Sequence, residues 1–274
     1  MTALHETLGI VNYANVAPLH WGLKVWDDTQ GRLDLAYGVP TDLNARLLAG
    51  DLTLTLVSSA EYVRHRSSLV ALPDFSVATR GPVQSVQLFS RRPWADLHGA
   101  TVAVTHDSAA SVALLQHLLK RDGLETTFVP QAPDLDAMLG QADAALLIGD
   151  PALRADLRSD LADLGVHERV DLADAWLNAT GLPFTFAVWA ARSDRPPSNR
   201  LVSALRDARE RGLADLPAVA ADAAARTGIP ADAMERYLAR FRYRLNAEDW
   251  QGLMAYARAL DPSAREDEFT RLDV

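Results

Sequence analysis

The stretch Leu8–Leu19, with the sequence LGIVNYANVAPL, contains the features that decide the fold of this chain. Leu8–Val11 is a short apolar run with β-branched residues, which predicts a buried strand. Pro18 stands where the first turn of a helix tolerates proline, and polar Asn12 and Asn15 lie between the strand and this helix. In open α/β sheets, ligands bind where a strand ends beside a helix start, because the helix N-terminus offers unpaired N–H groups.

Asn15 therefore has two interpretations at this stage. Its side chain is that of a common N-cap, which accepts a hydrogen bond from the first turn of the following helix. The same amide both donates and accepts hydrogen bonds, so it is equally suited to contact a bound ligand at the strand end. The sequence of this segment leaves both interpretations open.

The length, net charge and cysteine content of the chain exclude several classes of protein. The 274 residues suffice for two lobes, and the net charge of −9 argues against nucleic acid or an anionic membrane as the main partner. The chain has no cysteine, which excludes disulfides and thiolate catalysis. The first residues lack the basic start and apolar core of a secretion signal, and no apolar run is long enough to span a membrane, so we expect a cytoplasmic protein.

Strand and helix patterns alternate through the first third of the chain, which predicts βαβ units and a parallel sheet. The predicted elements are a strand at Leu33–Gly38, a helix from Pro40 to Gly50, a strand at Leu52–Val57 and a short helix to Val63. Two short strands are expected around Pro73, and Pro82–Ser90 alternates as a further strand. Arg91-Arg92-Pro93 then breaks the pattern, which indicates a lobe boundary.

A second α/β lobe is predicted beyond that break, and the strand Phe184–Ala190 is expected to return the chain to the first lobe. From Pro196 onward the pattern is helical. The sequence thus predicts a first α/β lobe of residues 1–91 plus 190–274, which includes the C-terminal helices, and a second of residues 92–189.

Polar or small residues follow several of the predicted strands. With Asn15, and with Ser85 from the predicted strand Pro82–Ser90, they would surround a cleft between the two lobes, in which hydroxyls, amides and helix N-termini suit carboxylates. The candidates that end or follow strands are Ser58, Ser59, Thr105, Ser108, Ser111, Gly149 and Asp150. Ser108 and Asp150 are also natural N-caps, and that structural interpretation stays open for both.

Catalytic signatures of the common kinds are missing from the sequence. It has no nucleophile elbow, no glycine-rich phosphate loop and no histidine–carboxylate spacing typical of a metal site, so neither a metal nor a cofactor is expected. His106 is the one residue near the predicted cleft that would suit a general base, although a lone loop histidine is commonly idle. The residues alone therefore predict a two-lobed protein with a polar cleft for a small anion.

Six motifs, in order along the chain, resemble the chorismate dehydratase family of menaquinone biosynthesis. The motifs are Asn12–Leu19, Leu56–Tyr62, Gly81–Val86, Ser108–Ser111, Ala145–Asp150 and Thr180–Phe184. The resemblance implies a two-lobed, periplasmic-binding-protein-like (type II) α/β fold with a ligand cleft between the lobes and a helical C-terminal segment. It also implies a carbon–oxygen lyase (a hydro-lyase) of the futalosine pathway, which eliminates water from chorismate to give 3-[(1-carboxyvinyl)oxy]benzoate.

The resemblance implies roles for the candidate residues. Asn15 and Ser85 would contact the substrate near the reacting carbons, as the catalytic pair. Substrate binding would fall to a larger set, in which a carboxylate is held at the helix start that follows Thr105: Ser58, Ser59, Thr105, Ser108, Ala109, Ser111, Gly149 and Asp150. No strong protein base is evident, so our hypothesis is that the enolpyruvyl carboxylate of chorismate takes the proton, with His106 as the alternative.

Two other functions stay open. One is that of a 1,4-dihydroxy-6-naphthoate synthase, a later enzyme of the same pathway, which we expect to carry histidine where this chain has Gly149. The other is that of a non-catalytic binding protein for a small anion. The sequence predicts neither a nucleic-acid nor a membrane partner, and it leaves the oligomeric state open.

Overall fold

A computed structural model of the protein describes residues 6–23, 33–105 and 109–272, and these form two compact units. The first unit runs to Ala78 and resumes at Thr185, and the second is Thr79–Phe184. The chain therefore passes from one unit to the other at 78/79 and at 184/185, whereas the sequence predicts these boundaries at 91/92 and 189/190. The first lies earlier because Val86–Ser90 pairs with strands of the second unit.

The first unit is built on a mixed sheet. Its strands are β1 (Thr7–Val11), β2 (Asp34–Gly38), β3 (Leu54–Ser58), β4 (Leu69–Thr79), β10 (Phe184–Arg192), β11 (Phe241–Arg242) and β12 (Thr270–Arg271). The order across the sheet is β2-β1-β3-β10-β4-β11, and β12 also pairs with β4. Strand β1 is parallel to β2 and β3, as the alternating pattern predicts, whereas β10 is antiparallel to β3.

The helices of this unit begin and end at residues that suit helix termini. They are α1 (Ala17–His20), α2 (Pro40–Ala49), α3 (Ser59–Arg64), α8 (Asn199–Ala214), α9 (Leu216–Thr227), α10 (Ala231–Leu238) and α11 (Ala247–Leu260). Helix α2 starts with proline, whose missing N–H costs nothing at that position, and ends at Gly50 in the left-handed conformation. Ser198 caps α8 by accepting a hydrogen bond from the N–H of Leu201 at 3.2 Å.

Gly212 of α8 fixes the position of α1. A Cβ atom on Gly212 would lie 2.1 Å from the carbonyl oxygen of Pro18, a distance that real Cβ atoms do not show. Only glycine therefore lets the two helices approach this closely. Because Pro18 follows Asn15 by three residues, this contact also constrains where the polar end of β1 lies.

The second unit contains a five-stranded sheet. Its strands are β5 (Val86–Ser90), β6 (Thr101–Thr105), β7 (Thr127–Gln131), β8 (Ala144–Ile148) and β9 (Glu168–Asp171). The order is β7-β6-β8-β5-β9, in which β6 is parallel to β7 and β8, and β5 is antiparallel to both β8 and β9.

Four helices cover this second sheet within the described residues. They are α4 (Ala109–Arg121), α5 (Leu135–Gln141), α6 (Gly149–Asp156) and α7 (Leu172–Thr180). Asp134 and Asp171 cap α5 and α7, respectively, through backbone N–H groups of the first turn. The apolar face of α4 is fully buried in the core through Leu114, Leu115, Leu118 and Leu119.

Strand β4 differs from the prediction of two short strands around Pro73. It is continuous from Leu69 to Thr79, although Asp74 has a φ of +67°. The side chain of Arg209, fully buried, donates to the carbonyl and the carboxylate of Asp74 and lies 4.6 Å from the ring centre of Phe75. A contact between residues this far apart in sequence is what holds the strand together at a position where local preference would break it.

Candidate active site

In the first unit, Asn15 follows β1 in a short 3-10 helix, Ala14–Val16. The N-cap of α1 is Val16, with no side-chain hydrogen bond, so the interpretation of Asn15 as the N-cap of this helix is wrong. The Oδ1 atom of Asn15 is buried and has no hydrogen-bond partner among the described residues. A buried amide oxygen without a partner is costly, so this acceptor is available to a ligand.

Arg226 brings a positive charge to the same strand end. One of its Nη atoms donates to Oδ1 of Asn12 at 3.3 Å, and its Nε pairs with Asp222 at 3.1 Å, one helical turn earlier on α9. No local sequence signal singles out this arginine, because its contact with Asn12 spans 214 positions. Its guanidinium group thus lies at the end of β1 and is partly balanced by the carboxylate of Asp222.

The two serines at the end of β3 are engaged within the first unit. The hydroxyl of Ser59, fully buried, donates to the carbonyl oxygen of Thr185. Ser58 is the N-cap of α3, and its hydroxyl accepts from the N–H of Glu61 at 3.4 Å. Since β1 and β3 are parallel neighbours, their C-terminal ends lie at one edge of the sheet. The substrate contacts expected of both serines remain predictions.

Ser85 in the second unit directly precedes β5 and is only 2% exposed. Its hydroxyl makes no hydrogen bond to any residue within the described ranges. Its carbonyl oxygen accepts from the N–H of Gly149 at 2.7 Å. This bond joins two of the sequence-predicted site residues, which lie 64 positions apart.

Gly149 begins α6 and has a φ of +62°, in the left-handed region that favours glycine. A Cβ atom there would meet no atom within 4 Å, so the space in front of this residue is open. Ile148 is the N-cap of α6, without a side-chain hydrogen bond, so the interpretation of Asp150 as the cap is wrong. Asp150 lies instead in the first turn, with one carboxylate oxygen buried.

Thr105 lies at the same edge of the second sheet. It ends β6, which is parallel to β8, and antiparallel β5 begins where β8 ends, with Val86 opposite Ile148. The hydroxyl of Thr105 is buried and has no hydrogen-bond partner among the described residues. The structure therefore places Thr105 and Gly149 at one edge, where the parallel strands β6 and β8 end, and Ser85 joins them at the start of antiparallel β5.

The helix that follows β6 carries the remaining candidates. Ser111 is buried in the first turn of α4, and Ala109 begins that helix. Ser108 and His106 lie outside the described residues. Their expected roles, as carboxylate donor and alternative base, remain predictions.

Asp171 connects helix α7 with the turn that precedes Ser85. One of its carboxylate oxygens accepts from the N–H groups of Ala173 and Asp174 in α7, and the other accepts from Val83 and Gln84. Burial raises the pKa of Asp171 to about 6, and the four N–H donors limit that rise because they favour the carboxylate. Gln84 has a φ of +65°, which is strained for a residue other than glycine.

The described ranges contain neither a cluster of metal-ligating side chains nor a membrane-spanning helix. No group of three or more histidine, aspartate or glutamate side chains there is arranged to hold a metal ion. No helix within those ranges has the length and apolarity needed to cross a bilayer.

Comparison with known proteins identifies the fold. A protein of Archaeoglobus fulgidus superimposes with a TM-score of 0.75 at 18% identity, covering 94% of this chain and 98% of that one. The periplasmic aliphatic sulphonate binding protein of Escherichia coli superimposes with a TM-score of 0.65 at 18% identity, covering 92% and 90%. The predicted periplasmic-binding-protein-like α/β fold is thereby confirmed.

Sequence comparison identifies the family. A family model described as menaquinone biosynthesis matches residues 6–261. A chorismate dehydratase of Thermus thermophilus is 43% identical over 263 residues, which are 92% of this chain and 94% of that protein. The chain therefore belongs to the menaquinone biosynthesis family that includes the chorismate dehydratases.

Proposed function

We propose that this protein is a chorismate dehydratase, which eliminates water from chorismate to give 3-[(1-carboxyvinyl)oxy]benzoate. The observation that carries the proposal is the 43% identity to the Thermus thermophilus chorismate dehydratase, which extends over nearly the whole of both chains. The unpartnered polar groups of Asn15 and Thr105 and the unbonded hydroxyl of Ser85 support it, because they are neutral groups suited to a small polar ligand.

The reaction demands little covalent chemistry from the protein. A base removes the ring proton on the carbon that bears the ether oxygen, and the hydroxyl on the neighbouring carbon leaves with a proton as water. The electron pair of the broken C–H bond forms the new double bond, and the ring becomes aromatic. The enzyme has to orient the diene, hold both carboxylates and stabilise charge that spreads onto the ring carboxylate.

The residues divide accordingly. Asn15 and Ser85 are proposed to contact the substrate at the reacting carbons, where an amide and a hydroxyl would stabilise the departing hydroxyl group and the developing charge. Carboxylate binding is proposed for the polar groups and N–H donors at the strand ends of each unit: Ser58, Ser59, Thr105, Ser108, Ala109, Ser111, Gly149 and Asp150. Arg226, beside Asn12, adds a charged donor to this set.

The proton acceptor in our proposal is the enolpyruvyl carboxylate of chorismate itself. This carboxylate is bonded to the vinyl carbon that carries the ether oxygen, and that oxygen is bonded to the ring carbon that loses the proton, so an intramolecular transfer needs no protein base. Turnover of a His106→Ala variant separates this from the alternative. We expect the variant to keep most of its kcat, and loss of turnover with retained chorismate binding would assign the proton to His106.

The decisive experiment mixes the purified protein with chorismate and follows the ultraviolet spectrum and the mass of the product. We expect a benzoate product with the mass of chorismate less one water. Dehypoxanthine futalosine serves as the control substrate, and its conversion in place of chorismate would assign the chain to the later step of the pathway. Binding of chorismate without any product would instead indicate a binding protein, the function of the Escherichia coli structural neighbour.

The proposal places the enzyme among the hydro-lyases, with chorismate as its small-molecule partner, and in the cytoplasm. A biosynthetic relative of high identity supports each of these assignments. Cell fractionation tests the location, because chorismate-dependent product formation is expected in the cytoplasmic fraction and not in the membrane or periplasmic fractions.

A further inference from the structure

Ser85 is held in place by contacts on both of its sides. Beyond it, β5 pairs with β8 and β9, and the Ser85 carbonyl accepts from Gly149. Before it, the backbone turns through Gln84 in the left-handed conformation. The N–H groups of Val83 and Gln84 both donate to one oxygen of Asp171, at 2.8 and 2.7 Å, so the turn that presents Ser85 depends on a carboxylate of another strand.

We propose that Asp171 is a positioning residue for the reaction, which fixes the Val83–Gln84 turn so that the hydroxyl of Ser85 is correctly placed. The inference rests on the proposed function, because it takes Ser85 as a substrate contact. Asp171 itself acts only through the backbone of the turn.

The alternative is that Asp171 merely caps α7, and the second unit supplies a matched comparison. Asp134 caps α5 by accepting from the N–H of Ala137 at 3.0 Å, and its contacts are confined to that helix start. Asp171 makes the same kind of cap with one carboxylate oxygen, and its other oxygen accepts from the turn before Ser85. Only this second set of hydrogen bonds involves residues next to a candidate catalytic residue.

The charge of Asp171 provides a further readout. Burial raises its pKa to about 6, so protonation in this range would place a hydrogen where two N–H groups now donate. The charged groups nearby are Asp156, whose carboxylate accepts from the Gln84 amide, Arg169, which pairs with Asp156, and Asp174 of α7. Gln87, opposite Asp171 on β5, is neutral.

Acidification through the pKa of Asp171 is expected to lower kcat but to raise the contribution of this group to the free energy of unfolding. Because the folded-state pKa of Asp171 is raised above 3.8, the folded protein takes up a proton on acidification from about pH 6 to pH 4 before the unfolded chain does. Burial of the Asp171 carboxylate therefore lowers the stability of the folded protein above about pH 6, and acidification across that window removes this penalty, so that stability rises. A fall in kcat there would reflect a displaced turn and not unfolding.

The test compares Asp171→Asn with Asp134→Asn in chorismate turnover. We expect Asp171→Asn to lower kcat by about 10–100-fold with a smaller change in KM, because an amide replaces an acceptor of two N–H donors and the turn shifts. We expect Asp134→Asn to leave kcat within about twofold of wild type, since helix capping is all it can perturb. The acid limb of the wild-type kcat profile, expected near pH 6, should be absent from Asp171→Asn.

A second measurement needs no variant and no activity. In the wild-type protein, the amide proton signals of Val83 and Gln84 should titrate together with a midpoint near pH 6, followed by nuclear magnetic resonance. Amide signals that stay constant from pH 8 to pH 4.5 would overturn the link between Asp171 and the turn. If Ser85→Ala loses turnover while Asp171→Asn retains full kcat, the positioning role is wrong and the proposed function stands. If wild type forms no product, the proposed function fails and the titration still tests the link.

Discussion

The two units share a sheet plan and differ in how their strand-end side chains are used. In each, a central strand lies between two parallel neighbours, and an antiparallel strand follows next in the order: β2-β1-β3-β10 in the first unit and β7-β6-β8-β5 in the second. In the first unit, the hydroxyl of Ser58 accepts a hydrogen bond that caps α3, and the hydroxyl of Ser59 donates to a backbone carbonyl oxygen. In the second, the hydroxyls of Ser85 and Thr105 are left without such bonds among the described residues.

At corresponding strand ends, the hydroxyls therefore form hydrogen bonds within the fold in the first unit and form none with the described residues in the second. The hydroxyl of Ser59 already donates within the fold and has to break that bond before it donates to a substrate, which reduces the net gain in binding free energy, whereas the hydroxyl of Ser58 only accepts. The exception in the first unit is Asn15, whose amide oxygen is buried without a partner in the described part of the chain. The contrast predicts that substitutions in the two units separate into effects on stability and effects on activity.

Ser85→Ala gives the largest expected effect on activity. Loss of a donor aimed at developing charge costs about 100–1000-fold in kcat, while the melting temperature should change little because the hydroxyl supports no bond within the described fold. Steady-state kinetics with chorismate and thermal unfolding measure the two. Ser90→Ala is the control, since Ser90 is buried at the other end of β5 and its hydroxyl is bonded to the backbone of Arg92. Equal kcat values for Ser85→Ala and wild type would contradict the inference that the unbonded hydroxyl of Ser85 acts on the substrate.

Thr105→Val tests the second free hydroxyl. Valine keeps the shape of the side chain and removes the oxygen, so we expect KM for chorismate to rise by about 10-fold, as for one lost hydrogen bond to a charged group, with a melting temperature at or above that of wild type. Thr101→Val, at the opposite end of β6, should leave KM unchanged. A fall in stability with an unchanged KM would place Thr105 with the structural serines of the first unit.

Ser59→Ala examines the other side of the contrast. The variant leaves a buried carbonyl oxygen, that of Thr185, without its donor, so we expect a loss of about 1–3 kcal/mol in the free energy of unfolding. That loss corresponds to a fall of several degrees in melting temperature, at roughly 2–4 °C per kcal/mol. Ser76→Ala should cost less, because the buried hydroxyl of Ser76 spans 3.5 Å to the carbonyl of Arg242. A rise in KM for Ser59→Ala at unchanged stability would contradict the assignment to structure.

Local sequence signals reach most elements of the fold and part of the site. The apolar run before Asn12 predicts β1, the proline and glycine at the ends of α2 predict that helix, and the structure confirms both. The polar end of a predicted strand identifies Thr105 as a residue at a sheet edge, because parallel strands end at the same edge. Ser85 lies within the predicted strand Pro82–Ser90, and it reaches that edge because the observed strand begins only at Val86.

What the sequence does not reveal depends on contacts between distant positions. The continuity of β4 through Asp74 requires Arg209, which lies 135 positions away, and the turn before Ser85 requires Asp171. The unit boundary after Ala78 depends in the same way on strand pairing, because alternation in Pro82–Ser90 cannot tell which sheet accepts the strand. The interpretation of Asn15 as an N-cap is wrong because Asn15 lies within a 3-10 helix, and Val16 is the N-cap of α1.

Arg226→Gln gives the smallest expected effect and tests whether the first unit contributes a charged group to chorismate binding. If the charge beside Asn12 helps to attract and hold a dianion, KM for chorismate should rise by about 2–5-fold, the range of a partly exposed ion pair, and the rise should shrink as salt is added. Arg236→Gln is the matched control. Arg236 forms the same kind of pair with a residue one turn earlier, Asp232 at 2.9 Å, and both side chains of that pair are well exposed. Because the two substitutions remove equal charge from the chain, an equal rise in KM for both would attribute the effect of Arg226 to net charge. A rise confined to Arg226→Gln would show that the first unit contributes a charged binding group in addition to its neutral polar groups.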